Sequence, residues 1–537
     1  MHLLAHLRDN WKSGVTVALV SIPLSVSLAV ASESTPTAGI ITAIWAGLLA
    51  AIFGGSHYNI VGPTGALSGI LATYAIIHGA HLLPMLAIMA GVFILLAYAF
   101  KLEKFLVFVP GSAIHGFTLG VAFIIAFNQM NFALGLSGLT KHEHFVGNLA
   151  ESFKNIGATD ATTALMFGAF LALMFVLLKY LPRVPGAIIL APIGILLGYL
   201  SQNNIIGITV QTLGSRYPDM TAKLFEMPSF AVNMPMVSAA LAVALVAILE
   251  TMLSAKIADG MTKTKHDKRK EMLGLGIANI ASGMMGGIPA TAALARTSLN
   301  IKSGANHRAS GIVSAIAVAV ISVALLATFK FIPLAVIAAI LVFVAVRMIE
   351  RHHFARMWKH EKKEFVVAMI VAFVTVYEDP IIGILLGVAL ALLMFMEKIS
   401  RGQFELIFHG TKGKEMEKIA SDSLDTLEHT SDVIIYSIRG QLAYINSQSH
   451  VERFQRSLNG YKTVIIRLRE LAFIDLDGVE AFNEIVEHIW AQHKQVIVTS
   501  VHPLVESVLK ESPVYQKLLK QENVFQRTSK ALDHLGY

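Results

Sequence analysis

The 537-residue chain is expected to be an α-helical polytopic membrane protein carrying a small α/β domain at its C-terminal end. Three observations carry that expectation. The chain is 55% apolar and only 15% charged, with a mean hydropathy of +0.62, whereas soluble domains run nearer ~25% charged. From Ser34 to Phe100 there is no Asp, Glu, Lys or Arg, and further uncharged stretches cover Phe105–Thr140, Val184–Ser215, Met272–Ala295, Phe331–Val346 and Ile381–Met396. Each is long enough for a crossing or half-crossing, a full helix needing ~20 residues. Beyond about Arg401 the pattern becomes short β-type runs alternating with amphipathic helical ones.

Division at Gly/Pro breaks and charged clusters yields fourteen segments between Trp11 and about Glu397. With loops alternating from a cytoplasmic N-terminus, the cytoplasmic side receives Lys101/Lys104, Lys179/Arg183, the Lys263–Lys270 cluster, Lys302/Arg308 and the Arg347–Lys363 stretch. The outer loops hold only Lys141, Lys154, Arg216, Lys223 and Lys330. This asymmetry predicts both termini in the cytoplasm, an even number of crossings, and insertion in the inner or plasma membrane. The net charge of +7 is spread over these loops, which suits an anionic lipid surface and not nucleic acid. The absence of cysteine excludes disulfides, thiolate metal sites and cysteine nucleophiles. No cleavable signal peptide is evident, because the first apolar run belongs to the continuing series. In the C-terminal part, Ser431–Ile438, Lys462–Leu468 and Val496–Ser500 read as strands, Ser447–Leu458 and Val479–His493 as helices, and Gly402–Thr430 as a polar connector.

Two segments are too short to cross. Gly62-Pro63-Thr64-Gly65-Ala66-Leu67-Ser68-Gly69 opens one that ends near His78, and Gly286-Gly287-Ile288-Pro289-Ala290-Thr291-Ala292-Ala293 opens another, closed by Ser303-Gly304. They are the third and tenth segments, seven apart, the spacing of a 7+7 inverted repeat with one half-helix in each half. Half-helices that start at mid-membrane aim unpaired backbone N–H groups and a positive dipole end at whatever lies between them, an arrangement suited to an anion. The alternative, ordinary glycine-rich packing helices, is common in membranes, but does not explain the matched spacing.

Ionisable residues at depth are sparse. Glu250 follows the apolar run Leu241–Leu249 and shares a helix face with Ser254. Arg296 lies five residues past Thr291 and is placed either to supply positive potential or to pair with Glu250. Glu33 sits at the outer end of the first segment and reads as solvated. So do His142-Glu143-His144, in an outer loop without a third ligand, and His352-His353, in a basic loop. Gly135-Leu136-Ser137-Gly138 matches an intramembrane serine protease tetrapeptide by spacing alone, and no phosphate-cradling lysine loop is present, so neither an enzyme nor nucleotide-driven transport is expected.

Ser21-Ile22-Pro23, the Phe53-Gly54-Gly55-Ser56 to Ala66 block, Glu250 with Ala258-Asp259-Gly260-Met261-Thr262, Gly287-Ile288-Pro289-Ala290-Thr291, and Arg296-Thr297 with Asn300 to Gly304 together resemble the sulfate permease (SulP) family of anion transporters. Ile438-Arg439-Gly440-Gln441-Leu442, Tyr444, Asn446 and Phe473-Ile474-Asp475-Leu476-Asp477-Gly478 look like that family's STAS domain. The resemblance implies a transporter domain over 1–400, a linker over 401–430 and a cytoplasmic STAS domain over 431–537. It further implies a core (segments 1–4 and 8–11) moving against a gate (5–7 and 12–14), usually in a homodimer. The anion would lie between segments 1, 3 and 10, touching Thr64, Gly65 and Ala66, then Ala293, Leu294, Ala295 and Arg296, with Leu24 and Leu28 lining the first segment. Many members have glutamine and an aromatic at those first-segment positions, so here backbone dipoles carry more of the coordination.

The expected function is secondary active transport of a small inorganic anion, sulfate or bicarbonate, by alternating access within the lipid bilayer, with no cofactor and no metal. Family members also carry dicarboxylates or chloride, and an uncoupled exchanger or channel would share the fold. Sodium-coupled bicarbonate members place an aspartate and a threonine four residues apart in segment 8 and a further hydroxyl in segment 10. Glu250 and Ser254 match the first two, and the third falls on Leu294, which has no side-chain oxygen. A proton carried by Glu250 is therefore expected in place of sodium. In the C-terminal domain, the loop position that carries a phosphorylated hydroxyl in related domains is Asp477, expected here to cap a helix and to form no phosphoester.

Overall fold

The computed structural model describes residues 2–104, 110–140, 142, 145–181, 186–218, 224–227, 232–378, 380–400, 403–409, 416–419, 432–457 and 461–537. Arg183, Lys141, Lys223, Glu143 and His144 lie outside them. The chain divides into two compact units, 1–391 and 392–537.

Unit 1 is built from helices: α1 (His2–Ala31), α2 (Pro36–Phe53), α3 (Gly65–His78), α4 (Leu83–Ala99), α5 (Gly111–Asn128), α6 (Ala161–Tyr180), α7 (Gly186–Gln202), α8 (Met234–Thr262), α9 (Lys268–Met284), α10 (Leu294–Lys302), α11 (Ala309–Phe329), α12 (Leu334–Met348), α13 (Lys362–Tyr377) and α14 (Pro380–Ser400), the last straddling the unit boundary. Shorter surface helices, among them Phe145–Lys154 and Arg351–His360, join them. Among the described residues seven helical spans are long and apolar enough to cross a membrane, and α3 and α7 are apolar but shorter. Large apolar side chains face outward, with Leu165 74%, Val320 64% and Phe373 65% exposed. In water such a belt would be an aggregation surface; in lipid it is simply solvated.

Local chemistry sets the helix starts. Thr35 accepts the N–H of Ala38 ahead of Pro36, and Asn233 accepts that of Met236 ahead of Pro235, so a side-chain cap and a first-turn proline begin α2 and α8 together. Small residues set the packing. A Cβ on Gly91 of α4 would lie 2.7 Å from the Gly276 carbonyl oxygen of α9, and one on Gly39 of α2 would lie 2.2 Å from the Ser25 carbonyl of α1. These pairs approach backbone to backbone. The principal neighbours are α4 with α9, α2 with α9 and α1 with α11 on one hand, and α5 with α13 and α6 with α12 on the other.

Two short strands, β1 (Val61–Gly62) and β2 (Thr291–Ala292), pair antiparallel, Val61 opposite Ala292 and Gly62 opposite Thr291. They join the lead-in segments of α3 and α10.

Unit 2 holds a six-stranded sheet of order β4-β3-β5-β6-β7-β8, made of β3 (Gln403–His409), β4 (Met416–Ile419), β5 (Val433–Leu442), β6 (Thr463–Ile474), β7 (Gln495–Thr499) and β8 (Val524–Phe525). The strands β5 to β8 are parallel; β3 and β4 are antiparallel additions. The 401–430 linker expectation is thus corrected. Gln403–His409 pairs along its whole length with β5, because Phe404, Leu406 and Phe408 alternate at the period of a strand. Helix α15 (Ser447–Ser457) and helix α16 (Leu476–Ala491) follow β5 and β6 as expected. On one side Ile434, Tyr436, Val464 and Ile466 pack with Phe482 and Ile485; on the other Val433, Ile435, Ile465 and Ile497 pack with Ala531 and Leu532. Strands covered on both faces read as continuous apolar runs.

A second correction concerns the cap of α16. Asp475, not Asp477, is the N-cap: its Oδ1 accepts the Gly478 N–H at 2.8 Å and its Oδ2 that of Tyr444 at 3.1 Å. Asp477 lies inside the first turn, because α16 starts at Leu476, two residues earlier than a cap at Asp477 implies.

Candidate functional site

The first turns of α3 and α10 both lack a side-chain acceptor. Helix α3 starts after Thr64, a residue type that ordinarily caps, but the Thr64 hydroxyl donates instead to Glu250 Oε2 on α8, at 2.9 Å. Helix α10 starts after Ala293, which has no group to offer. Such helix starts leave backbone N–H donors and the positive dipole end for an external acceptor. The Ala293 N–H is itself used, donating to the Ile60 carbonyl at 3.1 Å and extending the β1–β2 junction. The strand pair thus ties the two helix starts together across the fold.

Arg296 stands at this junction, 2% exposed. Its Nη2 donates to the Pro63 carbonyl, and its Nη1 is buried with no hydrogen-bond partner among the described residues. Gly62 makes room for it: a Cβ there would lie 2.7 Å from Nη1. A cavity of about 10 Å³, lined in part by Ser21, Val61, Arg296 and Ser314, lies beside the guanidinium. That is the size of one water and too small for a polyatomic anion.

The expected contacts distribute as follows. Thr64, Gly65 and Ala66 are buried at the start of α3; Ala293 and Leu294 are half-buried and Ala295 exposed at the start of α10. Leu28 is buried and Leu24 half-buried on α1, which packs against both α3 and α10. Glu250 and Arg296 form no direct ion pair: the carboxylate is held by Thr64 and the guanidinium by Pro63.

Ser254 Oγ lies 3.0 Å from both Asn59 Oδ1, to which it donates, and the Thr297 hydroxyl. Thr251 and Thr291 share a hydroxyl hydrogen bond of 2.8 Å. Oxygen that Leu294 cannot supply is therefore brought beside Ser254 by Thr297, one helical turn later on α10. Sequence reasoning named Thr297 without giving it a role and passed over Asn59, which lies two residues before β1.

Glu271 was missed altogether. It is 4% exposed and accepts the N–H groups of Gly55 and Ser56 at 2.7 Å each, and Asn59 Nδ2 at 2.6 Å. It thereby fixes the turn that leads into β1. Glu33 lies 3.7 Å from Arg216 at a partly exposed position.

A helical unit with an apolar outer belt, two uncapped helix starts joined by a strand pair and an α/β unit define a membrane permease fold with an appended α/β domain. The sulfate permease family profile matches residues 7–371 and the STAS domain profile residues 426–531. The chain belongs to the sulfate permease family. It is 32% identical over 517 residues to a putative sulfate transporter, YvdB, of Bacillus subtilis, spanning 95% of this chain and 94% of that one. It is 24% identical over 513 residues to the bicarbonate transporter BicA of a Picosynechococcus species, spanning 92% and 88%. Its fold matches the murine anion transporter Slc26a9 in an inward-facing state with a TM-score of 0.82, over 98% of this chain and 90% of that chain, at 14% identity. The transmembrane domain of a cyanobacterial BicA matches with a TM-score of 0.62 over 72% of this chain and 97% of that chain, at 23% identity.

Proposed function

We propose that the protein is a secondary active transporter of a small inorganic anion, sulfate or bicarbonate, held between the helix starts of α3 and α10. The observation that carries this reading is the double absence of a helix cap, with the Thr64 hydroxyl turned away to Glu250 and an alanine at the other start. The relatives named for sulfate and for bicarbonate bracket the cargo. Fourteen segments in a 7+7 inverted repeat, with α3 and α10 as half-helices, suit the pairing of their lead-in strands. Alternating access would move the group α1–α4 and α8–α11 against α5–α7 and α12–α14, as the neighbour pairs suggest. Cytoplasmic termini and a homodimer complete the reading.

Glu250 is proposed as the proton carrier. Its bond to Thr64 ties the carboxylate to the first residue of the α3 start, and a hydroxyl can donate to a carboxylate or accept from a carboxylic acid. A proton on Glu250 removes a negative charge as the anion enters. A second reading, sodium coupling, is favoured by the oxygens of Asn59, Ser254 and Thr297, since hard cations take oxygen ligands.

The binding site is tested by Ala66→Phe, which places a large ring at the start of α3. Folded Ala66→Phe protein is expected to take up no labelled anion in proteoliposomes, and competition by a panel of anions against the wild type identifies the cargo. Wild-type uptake by the folded variant would place the site elsewhere.

A further inference from the structure

Within unit 1, three side chains from two distant segments converge. His115 lies in the second turn of α5, Glu350 precedes the surface helix Arg351–His360, and His353 follows Glu350 by three residues. His115 Nδ1 is 2.6 Å from Glu350 Oε2, and His353 Nε2 approaches the same oxygen at 4.0 Å. The two imidazoles stack with centroids 4.5 Å apart. One donor atom from each residue lies within 4.8 Å of the others.

An ion pair between His115 and Glu350 accounts for only part of this. Glu350 Oε2 is buried and makes no aligned hydrogen bond, so a lone pair is left without a directional partner. His353 is aimed at the same point from beyond hydrogen-bond reach. In a tetrahedral site with metal–ligand bonds of ~2.0–2.1 Å, donor atoms lie roughly 3.3–3.4 Å apart. The two observed separations straddle that value, and turning the stacked rings so that both nitrogens aim at one point would bring all three donors onto one ion. The side chains of His115 and Glu350 are 17% and 31% exposed and that of His353 52%, which leaves an entry path and room for a water as fourth ligand. Two histidines and one carboxylate suit the divalent transition metals, Zn²⁺ in a tetrahedral site among them, and disfavour Ca²⁺ or Mg²⁺, which prefer all-oxygen sites.

We propose that His115, Glu350 and His353 form a zinc site that ties α5 to the junction of α12 with the surface helix. Coordination through His115 Nδ1 leaves that ring's proton on Nε2, and His353 binds through Nε2. The metal would pin the α5 end against α12, beside which it already packs. The three ligands are none of the residues assigned to the anion or to its coupling ion, so metal binding is tested independently of the transport reading.

The test uses untagged full-length protein in detergent, stripped with a chelator, then titrated with Zn²⁺ and, for its ligand-field spectrum, with Co²⁺. One equivalent of Zn²⁺ per chain is expected, with a rise in melting temperature and the visible bands of four-coordinate Co²⁺ that Zn²⁺ displaces. His115→Ala, Glu350→Gln and His353→Ala are each expected to weaken Zn²⁺ binding by at least about tenfold and to abolish those bands. Because the chain has 20 histidines, the variants separate this site from background binding. His353 is the most exposed of the three, so His353→Ala and His353→Gln decide the matter if the other variants melt early in chelator. Undiminished affinity and unchanged Co²⁺ bands in the folded His353 variants overturn the proposal, as does wild-type protein that binds no Zn²⁺ saturably.

Discussion

Asp475 illustrates how a helix cap can fall two positions from where it is expected. Its carboxylate closes two backbone N–H groups, one in the first turn of α16 and one in the loop after β5. Asp475→Ala is therefore expected to cost about 1 kcal/mol, the usual worth of a helix cap, whereas Asp477→Ala, which only favours the dipole, costs about 0.5 kcal/mol or less. Thermal melts of the C-terminal unit distinguish them; equal shifts would count against the cap. His450 gives a pH signature in the same unit. It is fully buried against Tyr436, whose hydroxyl contacts its Nδ1 at 2.9 Å, and burial, reinforced by Arg453, pushes its pKa down to about 4. A depressed folded-state value means that the unfolded chain takes up the proton first. Stability is whole above the unfolded value of 6.5 and declines as pH falls from there toward about 4, by on the order of 3 kcal/mol. His450→Gln is expected to flatten that acid limb in melts across this range. Neither effect was legible in the sequence. Asp475 and Asp477 flank one leucine and differ only in where the helix begins, and a lone histidine on an amphipathic run carries no sign of its burial.

At the level of elements, the apolar segments were legible because lipid imposes one requirement on every residue facing it, and the Gly/Pro breaks mark where a helix cannot continue. The uncapped starts were only half legible: Ala293 announces itself, but Thr64 is a good capping residue on paper and its diversion to Glu250 requires α8 to be in place. Glu271 was hidden for the converse reason, since a carboxylate among Lys268, Arg269 and Lys270 reads as solvated although it is buried over the turn at Gly55. Strand β3 was lost in a stretch that reads as polar overall. Helix packing makes a sharper prediction. Gly91 and Gly276 let α4 and α9 approach so closely that a methyl on Gly91 meets backbone atoms at 2.7 and 2.8 Å. Gly91→Ala is expected to destabilise by about 1–3 kcal/mol and to lower the melting temperature of the detergent-solubilised protein. A methyl on Gly168 of α6 would meet nothing within 4 Å, so Gly168→Ala is the matched control and should cost nothing. Equal melting temperatures for the two variants would mean that the α4–α9 contact opens freely.

On the scale of the whole molecule, the proposed function would couple the charge of Glu250 to the occupancy of the α3 and α10 starts. On that proposal a bare anion approaching these starts would meet a carboxylate bonded to Thr64, and entry would be easier with a proton on that carboxylate. Arg296, buried at the strand junction with one nitrogen unpartnered among the described residues, would on the same proposal add positive potential without pairing directly with Glu250. Uptake into proteoliposomes is accordingly expected to rise under an inward proton gradient, to be indifferent to sodium, and to lose its pH dependence in Glu250→Gln. The competing arrangement is equally concrete. Asn59 and Thr297 each place an oxygen 3.0 Å from the Ser254 hydroxyl, and a sodium ion among the three would neutralise the neighbourhood in the proton's place. Under that arrangement Ser254→Ala would abolish sodium stimulation while Glu250→Gln left the pH profile as it was. Sodium-stimulated uptake at fixed pH, removed by Ser254→Ala, would therefore overturn proton coupling while leaving the anion site, tested separately through Ala66→Phe, intact.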